Sequence, residues 1–147
     1  MRVISFCADG IERAADLGFY SWLDDQDADI VCLQGIEAQE HLLPNEPYFP
    51  IAYNPYFFDN QEATNGVAIY CRELPKAILT GLGFMDFDHE ARYIQADFEH
   101  ISFGSLLAPL ASSDDQLSID RKHQFFYQLH EHLSKIKHKR REFIISG

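Results

Sequence analysis

VAIYCRELPKAILTGLGFMDFDHEARYIQADFEHISFGSLLA, residues 67–108, decides the architecture. It holds four apolar, β-branched runs, at 67–72, 76–80, 92–98 and 101–108. Turn signals separate them, and Glu99-His100 joins the last two as a hairpin. No apolar period of 3.6 residues occurs in the stretch. Just upstream, residues 44–55 are rich in proline and aromatics, and Asn65-Gly66 turns the chain into the first run. Consecutive strands without helices argue for antiparallel or mixed sheets and against a doubly wound parallel sheet. Working outward, RVISFC (2–7) and DIVCLQ (29–34) read as buried strands flanking a helix in which Ile11, Ala14, Ala15, Leu17, Gly18, Trp22 and Leu23 recur at helical spacing. Asp9 is placed to cap that helix. Residues 117–138 predict a long amphipathic helix carrying Ile119, Phe126, Leu129, Leu133 and Ile136, and EFIISG (142–147) predicts a last strand. The expected class is α/β (α+β), two sheets face to face with helices outside.

The 147 residues suit one domain, and 46% hydrophobic with 24% charged residues excludes a disordered or low-complexity chain. No apolar run is long enough to span a membrane, and the N-terminus lacks the pattern of a signal peptide. Cys7, Cys32 and Cys71 each sit in strand-like runs, so reduced core thiols and a cytoplasmic location are expected. The net charge of −11 is unevenly spread. Residues 1–134 hold seven bases and twenty-two acids, whereas the last thirteen hold five and one. An acidic body with one basic corner, KIKHKRR at 135–141, repels a free polyanion yet offers it one contact.

Seven ordered blocks carry a family likeness: MRVISFCADGIERAADLGFYSWL, DADIVCLQ, NGVAIYCRELPK, GLGF, ARYIQADF, GSLLAP and RREFIISG. Together they resemble the endonuclease/exonuclease/phosphatase superfamily, in particular its exonuclease III branch. The resemblance implies a four-layer αββα sandwich. Its members are about twice this long, so residues 1–147 are expected to be its first half, C-terminally incomplete. It also implies metal-assisted phosphodiester hydrolysis, with Mg²⁺ among oxygen ligands.

Against that pattern the chain departs at three positions. Cys7 in FCADG stands where the enzymes carry an asparagine, and Gly35 in LQG where they carry the metal-binding glutamate. Leu107 replaces a tyrosine aimed at the scissile phosphate. The GDxN motif and a later Asp-His pair are absent from residues 1–147. Glu37, two residues beyond Gly35, is about 6.6 Å away along an extended backbone, too far to replace the lost ligand. Arg92 matches an arginine near the nucleic-acid face; it either serves there or pairs Asp97 or Glu90.

PKAILTGLGF, ARYIQADF and SKIKHKRREFIISG resemble still more closely the catabolite repression control (Crc) family, a non-catalytic branch of the fold. That resemblance implies a non-enzymatic post-transcriptional regulator acting with the RNA chaperone Hfq on A-rich mRNA sites. It implies no cofactor, no metal and weak binding of nucleic acid alone. Lys135, Lys137, Lys139, Arg140, Arg141 and Arg92 are then the candidate partner or RNA contacts. The basic run also simply complements a helix C-terminus. Two alternatives stand beside this: an Mg²⁺-dependent exonuclease III-like repair nuclease, and an inactive fragment.

Other groups read as structure. His123, His130 and His132 share a helix without metal-chelating spacing. Phe19, Tyr20 and Trp22 are helix-face aromatics, and YFPIAYNPYFF (48–58) either packs a sheet edge or forms an interface.

Overall fold

A computed structural model describes residues 1–147. Eight strands and three α-helices follow in the order β1 (Val3–Cys7), α1 (Ile11–Asp16), α2 (Phe19–Asp24), β2 (Ile30–Gln34), β3 (Asn54–Phe58), β4 (Val67–Cys71), β5 (Ala77–Thr80), β6 (Tyr93–Asp97), β7 (Ile101–Leu106), α3 (Gln116–Ile136) and β8 (Glu142–Ser146). They build two four-stranded mixed sheets, ordered β1-β2-β4-β3 and β5-β6-β7-β8. β1 runs parallel to β2 and β8 parallel to β7; every other pairing is antiparallel.

Alternation along each strand sorts the side chains into layers. From the first sheet Ile30, Cys32, Val67, Ile69 and Cys71 point inward, and from the second Ile94, Ala96 and Phe103 meet them. Val31, Leu33, Ala68 and Tyr70 point outward and are covered by Ile11, Ala14, Phe19 and Leu23 of α1 and α2. On the far side Phe125 and Leu129 of α3 cover Phe84 and Phe87. All four layers of the αββα sandwich are therefore present, with β2 over β7 and β4 over β6. β1 and β8 form open edges on the same side. Beside β1, Leu17 is 78% and Trp22 43% exposed around an apolar pocket with Phe6 and Phe19. No helix is long and apolar enough to cross a membrane.

Three local expectations are corrected. The first helix is broken in two, because Gly18 takes φ +93 between α1 and α2. Asp9 does not cap α1: Gly10 occupies that position without a side-chain bond, and the Asp9 carboxylate accepts from Arg13 Nη1 at 2.8 Å. The buried face of α3 is Phe125, Leu129 and Ile136, while Phe126 is 44% and Leu133 38% exposed. His132 takes the intervening inward position, edge-on to Phe84 at 6.2 Å between ring centroids. A polar residue in the apolar stripe shifts the apparent phase of the helix. Burial, with Lys139 and Lys135 nearby, holds the His132 imidazole below its ordinary pKa. Asp115 caps α3, its carboxylate accepting from the Leu117 and Ser118 amides at 3.1 and 3.3 Å.

The aromatic segment at 48–58 packs on the first sheet. Tyr48 and Tyr53 are buried against it, and Tyr53 donates to the Ala28 carbonyl at 3.0 Å. Cys32 and Cys71 are buried free thiols, raised by burial to about 11 and about 12. Cys7 is exposed, which corrects its placement in the core: it sits on the outer edge strand, at the strand's end.

Candidate functional site

One end of the sandwich gathers the C-terminal ends of β1, β2 and β7 with the N-terminal ends of β4 and β6. The three departures noted in the sequence, Cys7, Gly35 and Leu107, all lie at this mouth. Three loops are tied there by backbone hydrogen bonds. Ala8, Gly10 and Ile11 amides donate to the Gln34, Gly35 and Ile36 carbonyls at 2.8, 2.9 and 2.8 Å. Gly35 and Ile36 amides donate to the Gly66 carbonyl at 2.9 and 3.1 Å, and Glu37 to that of Asn65 at 2.8 Å. Seven residues of these loops hold positive φ: Asp9, Gly10, Gly35, Glu37, Ala63, Asn65 and Gly66. Non-glycine residues seldom adopt that conformation, and where they do the surroundings enforce it.

Just below the loops a polar bridge crosses between the sheets. The Gln34 amide donates to Ser105 Oγ at 2.9 Å, and Ser105 Oγ donates to the Leu33 carbonyl at 2.8 Å. Ser146 Oγ is buried at the end of β8 without a partner. Beside the mouth a polar cavity of about 460 Å³ lies between Asn60, Gln61, Thr64 and Asn65 on one loop and His89 and Glu90 on the other.

Glu90 belongs to an ion cluster the sequence only half disclosed. Its carboxylate accepts from Arg92 Nε at 2.6 Å and pairs Arg121, whose guanidinium lies 4.5 Å from the Phe87 ring centroid. Arg92 is buried and also donates to the Leu107 carbonyl at 3.2 Å. Of the two pairings open to it, the structure shows Glu90; Asp97 instead accepts from Gln95 and Ser102. Burial raises the Glu90 pKa, but the bonds from Arg121 and Arg92 outweigh it and hold the carboxyl below its ordinary value. Arg121 sits twenty-nine positions beyond Arg92, and nothing in its sequence neighbourhood marks it as a partner.

A divalent cation, implied by the resemblance, would lie at this mouth. Position 7 offers a thiol, position 35 no side chain, and the Asp9 carboxylate is engaged by Arg13. Glu37 is exposed, and its carboxylate turns back toward Gly10; Gly35 and Glu37 are both left-handed, so the backbone there is not extended. No three acidic, histidine or cysteine side chains converge. These residues do not fit a hard cation that needs oxygen ligands.

The basic corner lies apart from the mouth. Lys135, Lys137, Lys139 and Arg140 are exposed and form no ion pair. Arg141 differs: its guanidinium donates to the Phe98 carbonyl at 2.8 Å, Ser102 Oγ at 3.0 Å, and the Ile101 and Glu99 carbonyls at 3.3 Å. It closes the β6–β7 hairpin onto the start of β8. Arg141→Ala is expected to lower stability by about 2 kcal/mol, the scale of lost charge-assisted bonds. Arg140→Ala is expected to stay within about 0.5 kcal/mol. Urea melts of the two variants check the split.

The Endonuclease/Exonuclease/phosphatase family matches residues 10–147. Among curated proteins, the chain is 30% identical over 116 residues to the DNA repair nuclease APEX1 of Danio rerio, covering 76% of this chain and 37% of that one. It is 27% identical over 111 residues to an exodeoxyribonuclease of Bacillus subtilis, covering 74% and 43%. Among solved structures, the catalytic domain of Xenopus laevis APE2 superposes with a TM-score of 0.83 at 24% identity, covering 99% of this chain and 57% of that one. The chain spans less than half the length of these curated relatives.

These relatives correct the expectation of a non-enzymatic protein: they are nucleases, and they point to enzymatic function. They do not show the narrower likeness to the Crc branch. With 138 of 147 residues matched and both sheets in place, the chain belongs to the Endonuclease/Exonuclease/phosphatase family.

Proposed function

We propose that the protein is a nucleic-acid phosphodiesterase of the exonuclease/AP endonuclease type. The observation that carries this is the similarity, over three quarters of the chain, to an exodeoxyribonuclease and a DNA repair nuclease. Residues 1–147 supply the sandwich and a mouth whose loops are locked by backbone bonds, a rigid platform of the kind phosphodiester chemistry requires. In this proposal the oxygen ligands of the cation come from outside residues 1–147, since Cys7 and Gly35 do not provide them.

A second reading, assembly with the RNA chaperone Hfq on A-rich mRNA, is favoured by one observation. Lys135, Lys137, Lys139 and Arg140 form an unpaired basic patch on an otherwise acidic chain, suited to touching RNA already held by a partner.

One experiment separates the two. The full-length gene product is mixed with a labelled duplex bearing one abasic site, and in parallel with an A-rich RNA and Hfq. Strand scission of the duplex supports the phosphodiesterase. A supershifted Hfq–RNA band with the duplex intact overturns it in favour of the second reading.

A further inference from the structure

We propose that one flank of α3 is a docking surface for a second copy of this chain, the two helices packing antiparallel about a two-fold axis at Phe126. The proposal goes beyond the phosphodiesterase reading and does not depend on it, because the flank belongs to the outer helix layer and not to the mouth.

α3 carries more apolar side chains than its buried face uses. Phe125, Leu129 and Ile136 turn in toward the second sheet. Ile119, Phe126 and Leu133 recur every seven residues, which on a helix sets them in one line about 90° round from that face. Ile119 is half-buried, and Phe126 and Leu133 are 44% and 38% exposed. A single exposed apolar residue needs no account. A row of three at heptad spacing along one helix is the pattern by which a helix packs on another helix.

The ends of the row say which helix. Asp115 at the N-cap and Lys137 at the C-cap stand eleven residues before and after Phe126. Each is then about 16 Å from it along the axis. Asp115 caps the helix through Oδ1 alone, which leaves Oδ2 open to a cation. Lys137 is exposed and forms no ion pair. Reversing the row about Phe126 exchanges Ile119 with Leu133 and Asp115 with Lys137. A second copy laid antiparallel therefore meets apolar with apolar at three levels and acid with base at both ends. That is the self-complementarity a two-fold interface requires. A parallel copy would set Asp115 on Asp115 and Lys137 on Lys137, repulsive at both ends.

The test is analytical ultracentrifugation of the full-length gene product, followed by cross-linking. Wild type is expected to pass from monomer to dimer between about 10 and 500 µM, as suits a single helix pair at the small end of interface sizes. Phe126→Glu is expected to stay monomeric throughout, with circular dichroism showing it folded. Lys137→Glu turns both end pairs into like charges and is expected to weaken the dimer about tenfold. Cysteines introduced in a Cys7→Ser background read the direction of packing. On mild oxidation Phe126→Cys is expected to link to itself, and Ile119→Cys to link to Leu133→Cys when the two are mixed. A wild type still monomeric at the highest concentration, a dimer retained in Phe126→Glu, or Ile119→Cys linking to itself in preference to Leu133→Cys would each overturn the proposal.

Discussion

Tyr70→Ala is expected to lower stability by about 4 kcal/mol, the scale for removing a buried aromatic ring. Tyr70 is fully buried in β4, and its ring lies among those of Tyr20, Tyr53 and Phe57 at centroid distances of 6.3, 6.3 and 5.8 Å. It joins α2, the first sheet and the aromatic segment into one core. Its hydroxyl donates to the Tyr48 carbonyl at 2.7 Å. The Tyr20–Tyr70 contact of 2.8 Å therefore uses the Tyr20 proton, since a hydroxyl has only one to give. Tyr70→Phe keeps the ring and leaves the Tyr48 carbonyl unpaired, at an expected cost of about 1–2 kcal/mol. Urea unfolding of the pair checks both. A Tyr70→Ala loss no larger than that of Tyr70→Phe would contradict a packing role for the ring. Burial, followed by the neighbouring Tyr20, also raises the Tyr70 hydroxyl's pKa, so this core stays uncharged through the alkaline range of ordinary assays.

The second large effect belongs to Glu90. Its side chain is 16% exposed and that of Arg92 10%, so Glu90→Gln leaves a largely buried guanidinium without its counter-charge. The expected loss is about 3 kcal/mol at neutral pH. The effect depends on pH in a definite direction. The two arginines hold the Glu90 carboxyl below its ordinary value of 4.5, so its stabilising contribution is complete above that value and is lost as pH falls through the lowered one. The gap between wild type and Glu90→Gln is therefore expected to stay constant above about pH 5 and to close in more acidic solution. A gap unchanged down to pH 3 would show that the carboxylate's charge does not matter to the cluster.

Much of the sandwich was legible in residues 67–108, because strands with one face inward and one outward repeat every two residues and admit no helix. The β6–β7 hairpin and the strand after Asn65-Gly66 follow directly from that pattern. What escaped were features set by backbone conformation and by distant partners. ADG, LQG and TNG each place glycine at a strand end. The string does not say that all three meet in one knot, nor that Gly10, and not Asp9, opens α1. Gly18 looked like one more small residue on a helix face, yet its positive φ divides the helix. His132 masked the phase of α3 because a histidine occupied an inward position. Arg141 read as one charge among five; its bonds to Phe98, Glu99, Ile101 and Ser102, some forty residues earlier, come only with the fold.

At the site, the structure brings Cys7, Gly35 and Leu107, read in the sequence as three separate departures from family motifs, to the same end of the two sheets. The conclusion drawn from them, a protein without enzymatic function, was not upheld by relatives that are nucleases. Position-by-position loss of ligands describes only the part of the relatives' length that this chain matches. It does not describe the activity of relatives that the chain matches over less than half of their length.

Strand scission bears most directly on the central claim. The full-length gene product is incubated with an end-labelled abasic-site duplex in Mg²⁺, and the products are resolved on a denaturing gel over time and protein concentration. A phosphodiesterase yields a discrete cleaved product whose rate of formation rises with protein. A duplex that stays at the level of the protein-free control at every concentration, from protein whose melt shows it folded, would contradict the claim.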